Sequence, residues 1–225
     1  VERREVVGPV ALPDRLDHLD ADDRVEAALH LAVVLHADLH QVGKTGGRHP
    51  LPDIQAFAAK LNERGLTPAS RVVVYDDLGG NYAVRLWWML RWLGHDAVAI
   101  LDGGYPRWVA EGRPTNTATP TPRNGTFEAR PHLGATVDAA FVDRFRESPG
   151  LRILDARGAE RFEGKQEPID SQAGHIPGAR NRFWKSNLAE DGRFKAPEML
   201  RAELLEALGG TPPESSVHMC GSGVT

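Results

Sequence analysis

Cysteine is all but missing from this sequence: 225 residues contain one, Cys220. A single thiol excludes an internal disulfide framework and any metal site built from several cysteines. It also points to a reducing, cytoplasmic setting. Long apolar runs are missing too, since stretches such as Trp87–Leu90 fall far short of the roughly 20 residues a membrane-spanning helix needs. Neither sign of charge dominates. The 27 Lys and Arg against 31 Asp and Glu give a formal net charge of −4, which argues against a generic surface for nucleic acid or anionic membrane. Val1-Glu2-Arg3-Arg4 leads into no apolar segment of the secretory kind, and with no initiator Met the natural start is expected upstream. What is present is an ordinary globular composition, 41% hydrophobic and 26% charged, with 23 Gly and 16 Pro. The length suits one large domain or two of about 100 to 150 residues.

An internal repeat favours two. Gly47-Arg48-His49-Pro50-Leu51-Pro52-Asp53 opens an apolar-periodic stretch, Ile54–Leu61, and Gly192-Arg193-Phe194-Lys195-Ala196-Pro197-Glu198 opens another, Met199–Leu208. The same offset carries His30-Leu31 onto His175-Ile176. Each periodic stretch ends at a glycine, Gly65 or Gly209, as a helix C-terminus does. A short strand-like run follows in both copies, Arg71–Asp76 and Ser216–Cys220. Around these, Val72–Tyr75 and Ala97–Leu101 read as strands and Ala83–Leu93 as a helix, while Val137–Arg146 reads as a helix and Leu151–Leu154 as a buried strand. Strands alternating with helices imply an α/β fold in which each domain has a mainly parallel sheet flanked by helices. The stretch Arg113–Thr136, rich in Pro, Thr and Gly, has a connecting composition. The expected domains are therefore residues 1–115 and 135–225, with 116–134 as linker. Only five residues follow Cys220, against 32 from Asp76 to Trp108. The second domain is thus expected to be incomplete at its C-terminus, and the short span Val25–His30 suggests residues missing from the first.

The chemistry concentrates after the last strand. Cys220-Gly221-Ser222-Gly223-Val224-Thr225 leaves an apolar strand at its carboxyl end, where open α/β sheets bind ligands. Successive backbone N–H groups in a glycine-rich turn converge into an anion nest. A following helix N-terminus would add partial positive charge. Both lower a thiol's pKa and favour the nucleophilic thiolate. The competing reading is that Cys220 is a small buried hydrophobe.

Three segments carry a resemblance: Leu154-Asp155-Ala156-Arg157 with Glu160-Arg161-Phe162, then Gly174-His175-Ile176-Pro177-Gly178-Ala179, then the Cys220–Thr225 loop. In this order they resemble the tandem rhodanese sulfurtransferases, a family that includes thiosulfate and 3-mercaptopyruvate sulfurtransferases. Trp87-Trp88-Met89-Leu90, Leu93-Gly94-His95 and Leu101-Asp102-Gly103-Gly104 look like that family's inactive N-terminal domain, with Asp76 in the place of the catalytic cysteine. The resemblance implies two rhodanese-like domains, the second catalytic, with the site in the cleft between them. It implies sulfur transfer through a Cys220 persulfide, from thiosulfate or 3-mercaptopyruvate to cyanide, a thiol or a thioredoxin-like protein. No metal or organic cofactor is implied. By the same resemblance Cys220 and Ser222 act in catalysis, and Gly221, Gly223, Val224 and Thr225 line the donor site. Arg161 binds the donor's carboxylate or sulfonate, a task suited to a bidentate guanidinium. Mercaptopyruvate enzymes carry a second arginine after Glu-Pro, where this chain has Ile169 after Glu167-Pro168. Asp38 and His49 match a first-domain acid and histidine that assist the loop serine.

Other residues have plainer readings. Asp155 and Arg157 are expected to brace the site through hydrogen bonds, and His175 to serve as a structural hydrogen-bonder in its turn. His36 and His40 have i, i+4 spacing but no third ligand. The glycine pairs at 79–80 and 103–104 lack a phosphate-binding context and read as turns. Asn124-Gly125-Thr126 matches a glycosylation sequon by chance. Trp87, Trp88 and Trp92 form a stripe at helical spacing that suits core or interdomain packing. Two alternative functions stay open. One is a cysteine phosphatase, although residues 221–225 lack the arginine its mechanism needs. The other is a catalytically inactive rhodanese-like binding module.

Overall fold

The computed structural model describes residues 49–115 and 124–224. They divide into two compact units. One comprises Leu133–Glu190 and Phe194–Gly221; the other holds the described residues up to His132 together with Asp191–Arg193 and 222–224.

In the unit that holds the first half of the chain, Asp53 starts helix α1 (Ile54–Glu63) by accepting a hydrogen bond from the Ala56 N–H at 2.9 Å. Phe57, Ala58 and Leu61 fall on one face and are buried. The helix closes at Gly65, whose φ of 86° is a left-handed conformation that glycine adopts without strain. Strand β1 (Val72–Val74) leads to helix α2 (Ala83–Trp92), and β2 (Val98–Ile100) returns parallel to β1 with Val72 opposite Val98. A parallel pair requires such a crossover. Helix α2 buries Leu86, Met89 and Leu90 against Phe57, Leu61 and Val74. Each such side chain contributes about 1.5–3 kcal/mol of transfer free energy. Trp87, Trp88 and Trp92 pack half-buried on the rim of that core, with the Trp88 and Trp92 rings stacked 5.9 Å apart. The sequence assigns Gly103-Gly104 to a turn. Gly103 is left-handed (φ 81°), but the turn opens a further helix, α3 (Gly104–Ala110), that the glycines concealed. Residues 125–132 run back along the same unit: Asn62 pairs with both the N–H and the C=O of Phe127, whose ring joins the core.

The second unit begins with α4 (Ala139–Phe145), capped by Asp138 through the Phe141 N–H. Strand β3 (Arg152–Asp155), helix α5 (Ala159–Phe162), strand β4 (Arg180–Asn181), helix α6 (Pro197–Leu208) and strand β5 (Ser216–Met219) follow. The sheet has the order β4-β3-β5 and is parallel throughout. Central β3 is the most buried strand, as both of its edges are paired. Helix α6 starts two residues before the apolar periodicity because Pro197 is tolerated in a first turn. It ends at Gly209 (φ 60°). Helix α5 and strand β4 are too short and polar to produce a periodic signal. Among the described residues, no helix is long and apolar enough to cross a membrane.

Candidate active site

The register of β3 against β5 sets Asp155 opposite Met219, so the two strands end level. The Ala156 N–H donates to the Met219 carbonyl at 2.8 Å, one bond before the half-buried Cys220. The thiol therefore stands at the carboxyl edge of a parallel sheet, the side on which open α/β sheets bind ligands.

Around this edge the second unit builds a chain of alternating charges. Asp155 has no exposed surface, and a carboxylate at that depth is costly unless paired. Arg157, two residues on, supplies the pair: Nη2 donates to Oδ2 at 2.7 Å and Nε to both carboxylate oxygens at 3.1 Å. The Asp155 carboxylate pushes the Arg157 pKa further up. The same Nη2 donates to the Gly174 carbonyl at 2.7 Å, tying the strand end to the turn that carries His175. His175 donates from Nδ1 to the Phe162 carbonyl at 2.7 Å, and its ring stacks on Phe162 with centroids 3.7 Å apart. Both residues thus make structural contacts within the second unit.

Arg161 projects from α5. Glu167 bridges it, accepting from Nε at 3.2 Å and from Nη2 at 2.8 and 3.0 Å, and Asp170 accepts from Nη2 at 3.0 Å. The Glu167 side chain is 5% exposed. The backbone N–H of Asp170 and the Arg161 guanidinium hold its carboxyl down at about 2. Gly221 faces this guanidinium: a Cβ added there would lie 2.8 Å from Nη1 of Arg161. The loop needs glycine at 221 for space, and Arg161 lies directly against the residue after Cys220.

The other unit takes in the rest of the loop. His49 donates from Nδ1 to the Ser222 carbonyl at 3.1 Å. Arg85, buried on α2, donates from Nη1 to the Gly223 carbonyl and from Nη2 to the carbonyls of His49 (3.1 Å) and Pro50 (3.0 Å). Val224 is buried. In this same unit Asp76, at the end of β1, turns its carboxylate into the loop it begins. Oδ1 accepts from the N–H groups of Leu78 (2.9 Å) and Gly80 (2.8 Å), and Oδ2 from those of Tyr82 (2.8 Å) and Ala83 (2.9 Å). The first-half loop is a nest of backbone amides closed on its own anion. Asp38, His36, His40 and Thr225 lie outside the described residues.

Sequence reasoning missed Arg85, Asp170 and the role of Glu167. Arg85 had a signal, a lone cation on the apolar face of α2, four residues before Met89. Glu167 and Asp170 lie in a stretch without periodicity and are recruited by Arg161 only in three dimensions.

The chain superposes on SseA from Escherichia coli, described as a 3-mercaptopyruvate sulfotransferase of "rhodanese" fold, with a TM-score of 0.70. The two are 31% identical over 84% of this chain and 70% of that one. The chain belongs to the rhodanese family. Residues 13–111 match the model of the rhodanese-like domain. A probable 3-mercaptopyruvate sulfurtransferase of Pseudomonas aeruginosa is 46% identical over 180 residues, 80% of this chain and 63% of that protein. The thiosulfate sulfurtransferase of Bos taurus is 35% identical over 180 residues, 78% of this chain and 60% of its own. This rhodanese chain thus spans about three fifths of the length of the curated relatives it matches.

Proposed function

We propose that the protein is a sulfurtransferase that moves a sulfane sulfur from 3-mercaptopyruvate or thiosulfate to a thiophilic acceptor through a Cys220 persulfide. The observation that carries this reading is the position of Cys220 directly after β5, with the next residue, Gly221, against the Arg161 guanidinium. A nucleophile and a cation for an anionic donor then meet at one loop. Residues 135–225 form the catalytic domain and 1–115 the inactive one, joined by 116–134.

The Cys220 thiolate attacks the outer sulfur of the donor. With thiosulfate the S–S bond breaks, its electron pair leaves on sulfite, and the enzyme holds Cys–S–S⁻. With 3-mercaptopyruvate the C–S bond breaks, and the carbon takes up the thiol proton to give pyruvate. The loop amides of Gly221–Thr225 stabilise the persulfide anion, and Ser222 donates to the donor, assisted by His49 and Asp38. Arg161 holds the donor's carboxylate or sulfonate, while Asp155, Arg157 and His175 brace the strand ends. Cyanide, a small thiol or a thioredoxin-like protein then removes the outer sulfur, which completes covalent catalysis in two steps. A cytoplasmic, reducing setting suits a chain whose one cysteine must remain a thiolate.

The test is thiocyanate formation from cyanide with each donor, on the full-length protein and its Cys220→Ser variant. Turnover that vanishes in the variant is the expected result. Product that persists without Cys220, or that neither donor yields, would overturn the reading.

A further inference from the structure

The guanidinium expected to hold the donor is already partly engaged. Glu167 occupies the Nε and Nη2 edge of Arg161, Asp170 adds a second carboxylate on Nη2, and Nη1 is the nitrogen beside Gly221. Two guanidiniums, Arg157 and Arg161, face three carboxylates, Asp155, Glu167 and Asp170. Among the described residues this cluster therefore holds one carboxylate more than it has guanidiniums, although its function calls for attracting an anion. The three acids differ in depth: the side chains of Asp155 and Glu167 are 0% and 5% exposed, that of Asp170 38%. The buried two are fixed partners of the arginines. Asp170 stands at the solvent side of Arg161, and Ile169 next to it brings no charge.

We propose that Asp170 is a specificity-determining residue that tunes the donor site by charge, favouring monoanionic thiol donors over dianionic ones. This rests on the sulfur-transfer reading above and names the donor class within it. A donor bound to Arg161 must share the guanidinium with the Asp170 carboxylate. Their repulsion scales with donor charge, so thiosulfate, a dianion, meets twice the penalty of 3-mercaptopyruvate, a monoanion. Partial exposure keeps the effective dielectric high, and one unit of charge difference then corresponds to a roughly 3- to 10-fold difference in binding.

Asp170→Asn keeps an oxygen to accept from Nη2 and removes the charge. In the full-length protein the ratio of kcat/KM for thiosulfate to that for 3-mercaptopyruvate should rise roughly 3- to 10-fold, through KM. The rise should shrink as ionic strength increases. Asp170→Glu, which keeps the charge, should leave the ratio near the wild-type value. A ratio unmoved in Asp170→Asn, or both donors changed by the same factor, overturns the proposal while Cys220-dependent turnover keeps the sulfurtransferase reading intact. Wild-type protein with no Cys220-dependent turnover of either donor overturns both.

Discussion

The backbone of Gly221 lies so close to the Arg161 guanidinium that a Cβ there would come within 2.8 Å of Nη1 and 3.2 Å of Nη2. A flexible arginine would swing away cheaply, but Glu167 and Asp170 pin this one. Gly221→Ala must therefore displace the loop or break the ion pairs. Thermal unfolding should shift little, by less than about 1 kcal/mol, since the site is at the surface of its unit. Cys220-dependent thiocyanate formation should fall about tenfold, because misplacing a reacting group by an ångström is enough for that.

Asp76 offers a test of stability in the first half. Asp76→Ala leaves four backbone N–H groups without their acceptor, two of them in part-buried positions. Loss of a charged acceptor from a helix start should cost about 2 kcal/mol. Asp76→Asn should cost nearly as much, since its amide would turn one pair of acceptor bonds into donor facing donor. Denaturant titration of both variants measures it, and a loss near zero would show that water replaces the carboxylate at no cost.

Glu167 makes stability depend on acid. Its carboxyl is held at about 2 in the native protein against an ordinary 4.5, first by the Asp170 N–H and then by Arg161. The unfolded chain binds this proton more readily, so stability falls as pH drops from about 4.5 towards 2. Above 4.5 the contribution is complete. Glu167→Gln should lower stability at neutral pH and flatten the acid limb, which unfolding curves across that window read directly.

Arg85 links His49, Pro50 and Gly223 through their carbonyls. Arg85→Lys replaces a planar fork with a point donor and recovers part of the set. The expected result is a roughly tenfold fall in kcat with donor KM nearly unchanged, as for a positioning residue that orders the loop without touching donor. A change confined to KM would instead mean that Arg85 meets the donor.

The sequence announced the elements whose signal is local. Apolar spacing marked α1, α2 and α6, a run of Val marked β1, Leu and Ile marked β3, and Gly65 and Gly209 marked helix ends. Strand β4, two polar residues, exists only because β3 pairs with it. Helix α3 hid behind a glycine pair that reads as a turn. At the site, Cys220 and its glycine loop stood out by composition and position. The carboxylates on Arg161 did not, because nothing at six or nine residues' distance in a loop says which side chains will meet.

The amide cradle after β1 is filled by the Asp76 carboxylate. Its anion is part of the chain and cannot be diluted, competed away or turned over, so the effective concentration of that ligand never falls. Any titration with an external anion should therefore see the first-half loop as permanently saturated.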